Sequence, residues 1–183
     1  MITDVLQDAR KKMEQATDHV SSEFSTVRTG RANPQILHRI NIDYYGTSTP
    51  LQQLASFSVP EPRLLVVQPF DKSSMAAIEK AIRASDLGLN PSNDGNVIRL
   101  AFPAPTEDRR KELIKIVRHM AEEGRVAVRN VRRHSKDDIE ALKHDVSDDE
   151  IRRGEKELQE LTDQFVHKID DLLSGKESEL AEV

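Results

Sequence analysis

Apolar residues recur at intervals of three, four or seven over residues 2–27, at Ile2, Leu6, Ala9, Met13, Ala16, Val20 and Val27, with polar residues between them. That spacing predicts a helix with one buried stripe. The pattern breaks at Thr29-Gly30-Arg31-Ala32-Asn33-Pro34, where Gly30 permits a positive φ and Pro34 disfavours a helical Asn33. Ile40-Asn41-Ile42-Asp43-Tyr44 then alternates with period two. Tyr45-Gly46-Thr47 reads as a turn, and Leu64-Leu65-Val66-Val67 and Val97-Ile98-Arg99-Leu100 read as short strands. Between them, residues 73–84 carry Met75, Ile78, Ala81 and Ile82 at helical spacing. This helix is expected to stop near Ser85-Asp86-Leu87-Gly88, ahead of the breakers Asn90-Pro91 and Asp94-Gly95.

Pro103 and Pro105 close this small α/β region, and Thr106-Glu107-Asp108 offers an N-cap with acidic first-turn residues. A second long helix is expected to run from there to about Leu142, roughly 55 Å at ~1.5 Å per residue. Ser147-Asp148-Asp149-Glu150 has the spacing of a capping box for a third, carrying Ile151, Leu158, Leu161, Phe165, Ile169, Leu172 and Leu180. Three apolar stripes joined by short connections are best buried against one another. The expected fold class is therefore α+β: a long antiparallel three-helix bundle from residues 1–29 and 106–183, with a small β/α/β domain inserted at 31–104. Two chain segments, 29–34 and 103–105, cross the junction and form a linker that can hinge. The molecule is expected to be a rod carrying a second lobe.

The 183 residues are 37% apolar and 32% charged, enough for a modest core. There is no cysteine, and no apolar run approaches the roughly 20 residues of a membrane span. The N-terminus lacks a signal-peptide pattern, so a cytoplasmic protein is expected, without membrane association. The net charge of −5 hides an asymmetry: residues 109–136 hold ten Lys/Arg against three acids, whereas residues 137–183 hold six against sixteen. Binding follows the field of one face rather than the total.

That face is the run Arg125-Val126-Ala127-Val128-Arg129-Asn130-Val131-Arg132-Arg133. At about 100° per residue, Lys111, Arg118, Arg125, Arg129, Arg132, Arg133 and Lys136 fall within roughly ±60° of one direction. Leu113, Ile116, Met120, Ala127 and Val131 are expected to point the opposite way, into the core. Glu122 can serve Arg118 and Arg125, but Arg129, Arg132 and Arg133 have no acid within one turn before them, and only Asp137 follows close to Arg133. Guanidinium groups pair bidentately with phosphate and stay charged, so the stripe points to nucleic acid. The chain has two Tyr, five Phe and no Trp, with none on the arginine helix, which leaves no platform for base stacking. Structured RNA, read by backbone and shape, fits better than DNA. One alternative is that this face packs against acidic residues of the third helix, although the angles place it opposite the buried stripe; another is a coiled-coil protein-interaction module with a solvated basic face.

No nucleotide-binding, metalloprotease or nucleophile-elbow motif occurs. The histidines, His19, His38, His119, His134, His144 and His167, never take the i, i+4 spacing of a helical metal pair and read as surface residues. No catalytic residue, metal or cofactor is assigned.

The chain resembles the bacterial ribosome recycling factor family over essentially its whole length. The residues that carry the resemblance are Arg28-Thr29-Gly30-Arg31-Ala32, Tyr44-Tyr45-Gly46 with Pro50-Leu51, residues 84–91, Glu107-Asp108-Arg109-Arg110-Lys111, and residues 125–133. The resemblance implies an L-shaped body and a non-enzymatic factor that binds post-termination ribosomes as a monomer through large-subunit rRNA. With elongation factor G and GTP it would promote subunit dissociation and release of mRNA and tRNA. By matching position, Arg129 and Arg132 would be the central rRNA contacts, with Arg125, Arg133, Arg28 and Arg31 in support; Gly30, Pro103 and Pro105 would belong to the hinge. One departure is His134, where family members often carry an acid after the paired arginines.

Overall fold

Helical and strand signals alternate along the chain much as its elements do. In the computed structural model, which describes residues 1–182, the order is α1 (Ile2–Thr26), β1 (Asn41–Tyr44), β2 (Thr47–Pro50), β3 (Ala55–Glu61), β4 (Leu64–Pro69), α2 (Met75–Ala84), β5 (Pro91–Asn93), β6 (Ile98–Ala101), α3 (Glu107–Ala141) and α4 (Asp148–Ala181). Internal contacts divide it into two units, Met1–Arg28 with Glu107–Glu182, and Thr29–Thr106. The class is α+β. No helix among the described residues is long and apolar enough to cross a membrane.

The first unit is the three-helix bundle of α1, α3 and α4. Its core takes Ala9, Met13, Val20 and Phe24 from α1, Val117, Ala121, Val128 and Ile139 from α3, and Leu158, Phe165 and Ile169 from α4. Burying each large aliphatic side chain contributes about 1.5–3 kcal/mol before entropy is counted. Three polar positions, Thr17, Ser135 and Thr162, lie inside this core. The Thr17 hydroxyl donates to the Met13 carbonyl at 3.0 Å and the Thr162 hydroxyl to the Leu158 carbonyl at 2.8 Å, so neither threonine is left unpaired. The start of α4 is a complete capping box, with Ser147 Oγ accepting from the Glu150 amide and Glu150 accepting from the Ser147 amide at 2.9 Å.

Two buried glycines set how closely the helices approach. A Cβ at Gly124 would stand 2.2 Å from Val20 Cγ2 and 3.3 Å from Ile169 Cδ1, and one at Gly154 would stand 2.8 Å from Ile2 Cγ2. Gly124 thus marks where α3 lies against α1. Here the structure corrects the expected inner face of α3. The buried positions are Leu113, Val117, Ala121, Gly124, Val128, Ser135 and Ile139. Met120 and Val131 pack at the margin of the core, Ala127 is half-buried and Ile116 is exposed. The reason is that a residue without a side chain sits in the middle of the arc; a search for large apolar residues passes over it and settles on a neighbouring arc.

The second unit holds a hairpin, β1–β2, and a four-stranded sheet in the order β3-β4-β6-β5, with α2 alongside. Every pairing is antiparallel. Ile42, Leu51, Leu65, Val67, Ile78, Ile82, Ile98 and Leu100 make a core of its own. Strands β1, β4 and β6 match the expected strands, whereas β2, β3 and β5 are additional. Asn90-Pro91, expected to be only a breaker, opens β5, and Pro60 lies within β3 where the register shifts between Ser58 and Glu61. Both prolines sit on edge strands, where a missing N–H costs no internal ladder bond. Gly30 takes φ 77° and Asn33 is extended, with its side chain accepting from the Gln35 amide at 3.0 Å.

Two glycine substitutions should have opposite signs. Gly124→Ala should destabilise the bundle by about 1–2 kcal/mol, because overpacking against Val20 exceeds the gain in helix propensity. Gly175→Ala, on α4 with no atom within 4 Å of the new methyl, should stabilise by about 0.5–1 kcal/mol. Urea unfolding of the two variants beside the parent measures both.

Candidate nucleic-acid interface

The position of the buried arc decides where the arginines point. At about 100° per residue the centre of the arginine stripe lies roughly 100° from the centre of the buried arc, not opposite it. The stripe therefore runs along the border of α3 that faces α4. Four of its members, Arg118, Arg125, Arg132 and Lys136, meet side chains of α4.

Arg118 Nε donates to Glu177 at 2.5 Å. Arg125 donates through Nε to Asp170 at 2.8 Å and through Nη1 to Glu122 at 2.9 Å, and its side chain is only 17% exposed. Arg129 Nη1 donates to the other oxygen of Glu122 at 3.3 Å while its side chain remains 52% exposed. Arg132 Nη1 donates to Gln159 Oε1 at 3.3 Å, and Gln159 in turn donates to Asp163 at 2.9 Å. Lys136 lies 3.4 Å from Glu140 and 4.0 Å from Glu155. Arg133 is exposed. Lys111 pairs with Glu107 at 2.9 Å on the outer face. Arg132 and Lys136 also line a cleft of about 200 Å³ between α3 and α4, with Glu155, Leu158 and Gln159.

Three expectations change here. Glu122 serves Arg125 and Arg129 rather than Arg118, whose guanidinium is drawn across to Glu177 on α4. Arg118 and Arg125 find partners on α4 that spacing along α3 cannot reveal. Arg133 and Asp137 form no pair among the described ion pairs, which leaves Arg133 turned outward. Packing against acidic residues of the third helix, the alternative disfavoured by the angles, thus holds for Arg118 and Arg125; Asp170, Glu177 and Gln159 are the individual neighbours that the sequence pattern does not name.

The electrostatics follow from these contacts. Hydrogen bonds from Arg125, with the charges of Arg125 and Arg129 beside it, hold the Glu122 carboxyl below the usual carboxylate range against a smaller opposing effect of burial. Burial alone would lower Arg125, but hydrogen bonds to Asp170 and Glu122 raise it above its ordinary value. The border is thus a row of fixed charges whose outer members, Arg129, Arg132 and Arg133, present N–H groups to solvent. Such a row can take phosphate oxygens at several points along α3.

The other residues of interest lie apart from this row in sequence. Arg28 is exposed at the end of the first unit, and Arg31 is exposed in the second. Gly30, Pro103 and Pro105 all fall in the second unit, outside its helices and strands. Among the described residues no three His, Asp or Glu side chains gather where a metal could be held.

Comparison with known proteins agrees across sequence and structure. The sequence model of a family described as Ribosome recycling factor matches residues 20–180. The ribosome-recycling factors of Acidothermus cellulolyticus and Cutibacterium acnes are each 56% identical to the chain, over 185 and 184 residues, covering 100% of both partners. A solution structure of the ribosome recycling factor superposes with a TM-score of 0.73 at 42% identity, covering 100% of this chain and 98% of that one. A second match, TM-score 0.63 at 44% identity over 98% of each chain, comes from models of the T. thermophilus ribosome recycling factor and the E. coli elongation factor G bound to the E. coli post-termination complex.

Acid should weaken the bundle partly through Glu122. Its folded pKa is lowered, so it contributes stability above the unfolded carboxylate value of about 4.3, and that contribution is lost as pH falls through the folded value. Glu122→Gln should therefore show a smaller drop in Tm between pH 6 and pH 3 than the parent, read by circular dichroism.

Proposed function

Because the chain belongs to the ribosome recycling factor family, we propose that it binds post-termination ribosomes through large-subunit rRNA and, with elongation factor G and GTP, promotes subunit dissociation with release of mRNA and tRNA. In this reading the protein is a monomeric cytoplasmic factor and not an enzyme. GTP hydrolysis belongs to elongation factor G, and this chain supplies a docking surface and a second unit to be moved.

The observation that carries the reading is the outer row of α3. Arg129 and Arg132 are the central contacts and Arg133 extends them, with Arg125 behind and Arg28 and Arg31 in support. A helix of 35 residues is roughly 52 Å long at ~1.5 Å per residue, enough to meet phosphates at separated points of a folded RNA. The relative shown with elongation factor G on a post-termination complex supports the same partners for this chain. The hinge is assigned to Gly30, Pro103 and Pro105, where two chain segments join the units.

A second reading, a coiled-coil interaction module, is favoured by one observation: Arg118 and Arg125 already spend their charge on Glu177 and Asp170. Dependence of binding on rRNA separates the two readings.

Co-sedimentation with purified ribosomes across a salt series should show binding that falls with salt. Arg132→Ala should weaken it and lower the slope of log K against log salt by about one, while unfolding stays within about 0.5 kcal/mol of the parent. Unchanged binding by the variant would remove Arg132 from the interface. Shortening the 103–105 segment by one residue should impair subunit splitting with elongation factor G and GTP more than ribosome binding; equal loss of both would contradict the hinge.

A further inference from the structure

Four charged groups in a row connect α4 to the exposed edge of α3. Asp170 accepts from Arg125 Nε at 2.8 Å, Arg125 Nη1 donates to Glu122 Oε2 at 2.9 Å, and Glu122 Oε1 accepts from Arg129 Nη1 at 3.3 Å. Signs alternate along the row. Arg125 is 17% exposed, whereas Asp170, Glu122 and Arg129 are each about half exposed, at 48%, 53% and 52%. Arg125 has two of its donor directions committed and little surface left for a phosphate. Glu122, by contrast, gives one oxygen to each arginine and so ties the orientation of the outer one to the inner one.

We infer that Asp170 and Glu122 are positioning residues for RNA binding, which act through the half-buried Arg125 to hold Arg129 ready for phosphate. An arginine side chain left free must be ordered when it binds, and that ordering weakens association. Here the ordering is done in advance by two carboxylates, one of them on a different helix. The inference rests on the proposed RNA-binding reading and deepens it: Arg125 serves the interface without touching RNA. Charge counting leads to the opposite expectation, since removing an acid beside the stripe makes the face more cationic and should tighten binding to any polyanion.

The test is a double-mutant cycle on Asp170 and Arg129, read by co-sedimentation with purified ribosomes over a salt series. Asp170→Asn is expected to weaken binding about fivefold, with an unchanged Tm. In an Arg129→Ala background it should change binding less than twofold. Glu122→Gln, which enters the row from α3, should give the same pattern of binding. Arg129→Ala should lower the salt slope by about one and Arg125→Ala should leave it unchanged. Tighter or equal binding by Asp170→Asn, additive losses in the double variant, or a slope lowered by Arg125→Ala would each overturn the inference while leaving RNA binding in place. Failure of the parent protein to bind ribosomes even at low salt would overturn the RNA-binding reading itself and the inference with it.

Discussion

At position 124 the backbone of α3 passes Val20 of α1 so closely that only a hydrogen atom fits between them. This contact fixes more than a distance. A helix that must turn its one bare position toward a neighbour has no freedom left about its own axis, so every other residue of α3 takes a determined direction. Val117, Ala121 and Val128 follow Gly124 inward. Arg118, Arg125 and Arg132, a step or so round the helix, come to the seam with α4. The charged surface of α3 is set by its apolar contacts, which is the usual hierarchy when burial contributes kilocalories and exposed ion pairs contribute tenths.

The seam then sorts one stripe of like residues into different tasks. Where α4 offers a carboxylate at the right height, as Asp170 and Glu177 do, the arginine is drawn across and its charge is balanced. Where α4 offers the neutral Gln159, Arg132 keeps its full charge toward solvent. Arg133 lies farthest round and meets neither. Few residues of the stripe therefore keep an unbalanced positive charge, in a protein whose overall charge is −5.

Much of the fold was legible because its signals are local. The heptad-like stripes located α1, α3 and α4 to within a residue or two, and the capping box at Ser147 and Glu150 located the start of α4. Period-two alternation found β1, and short β-branched runs found β4 and β6. Strand β2, Thr47–Pro50, has no large apolar residue to alternate, and β3 and β5 carry prolines that read as interruptions. The arginine face was legible as a stripe but not as a border, because its setting depends on Gly124, whose importance lies in what it lacks. Asp170 and Arg125 are 45 residues apart, and nothing in the local pattern of either names the other.

The edge prolines carry a consequence for the second unit as a chain among many copies of itself. A four-stranded sheet has two margins, and each unpaired margin is a template on which another molecule could add a strand and begin a polymer. One margin here is β5, three residues long and opened by Pro91; the other is β3, broken in register before Glu61 and carrying Pro60. Neither offers a long uninterrupted row of donors and acceptors. Features that look like defects in strand-forming sequence therefore act as insulation at both margins of this small sheet.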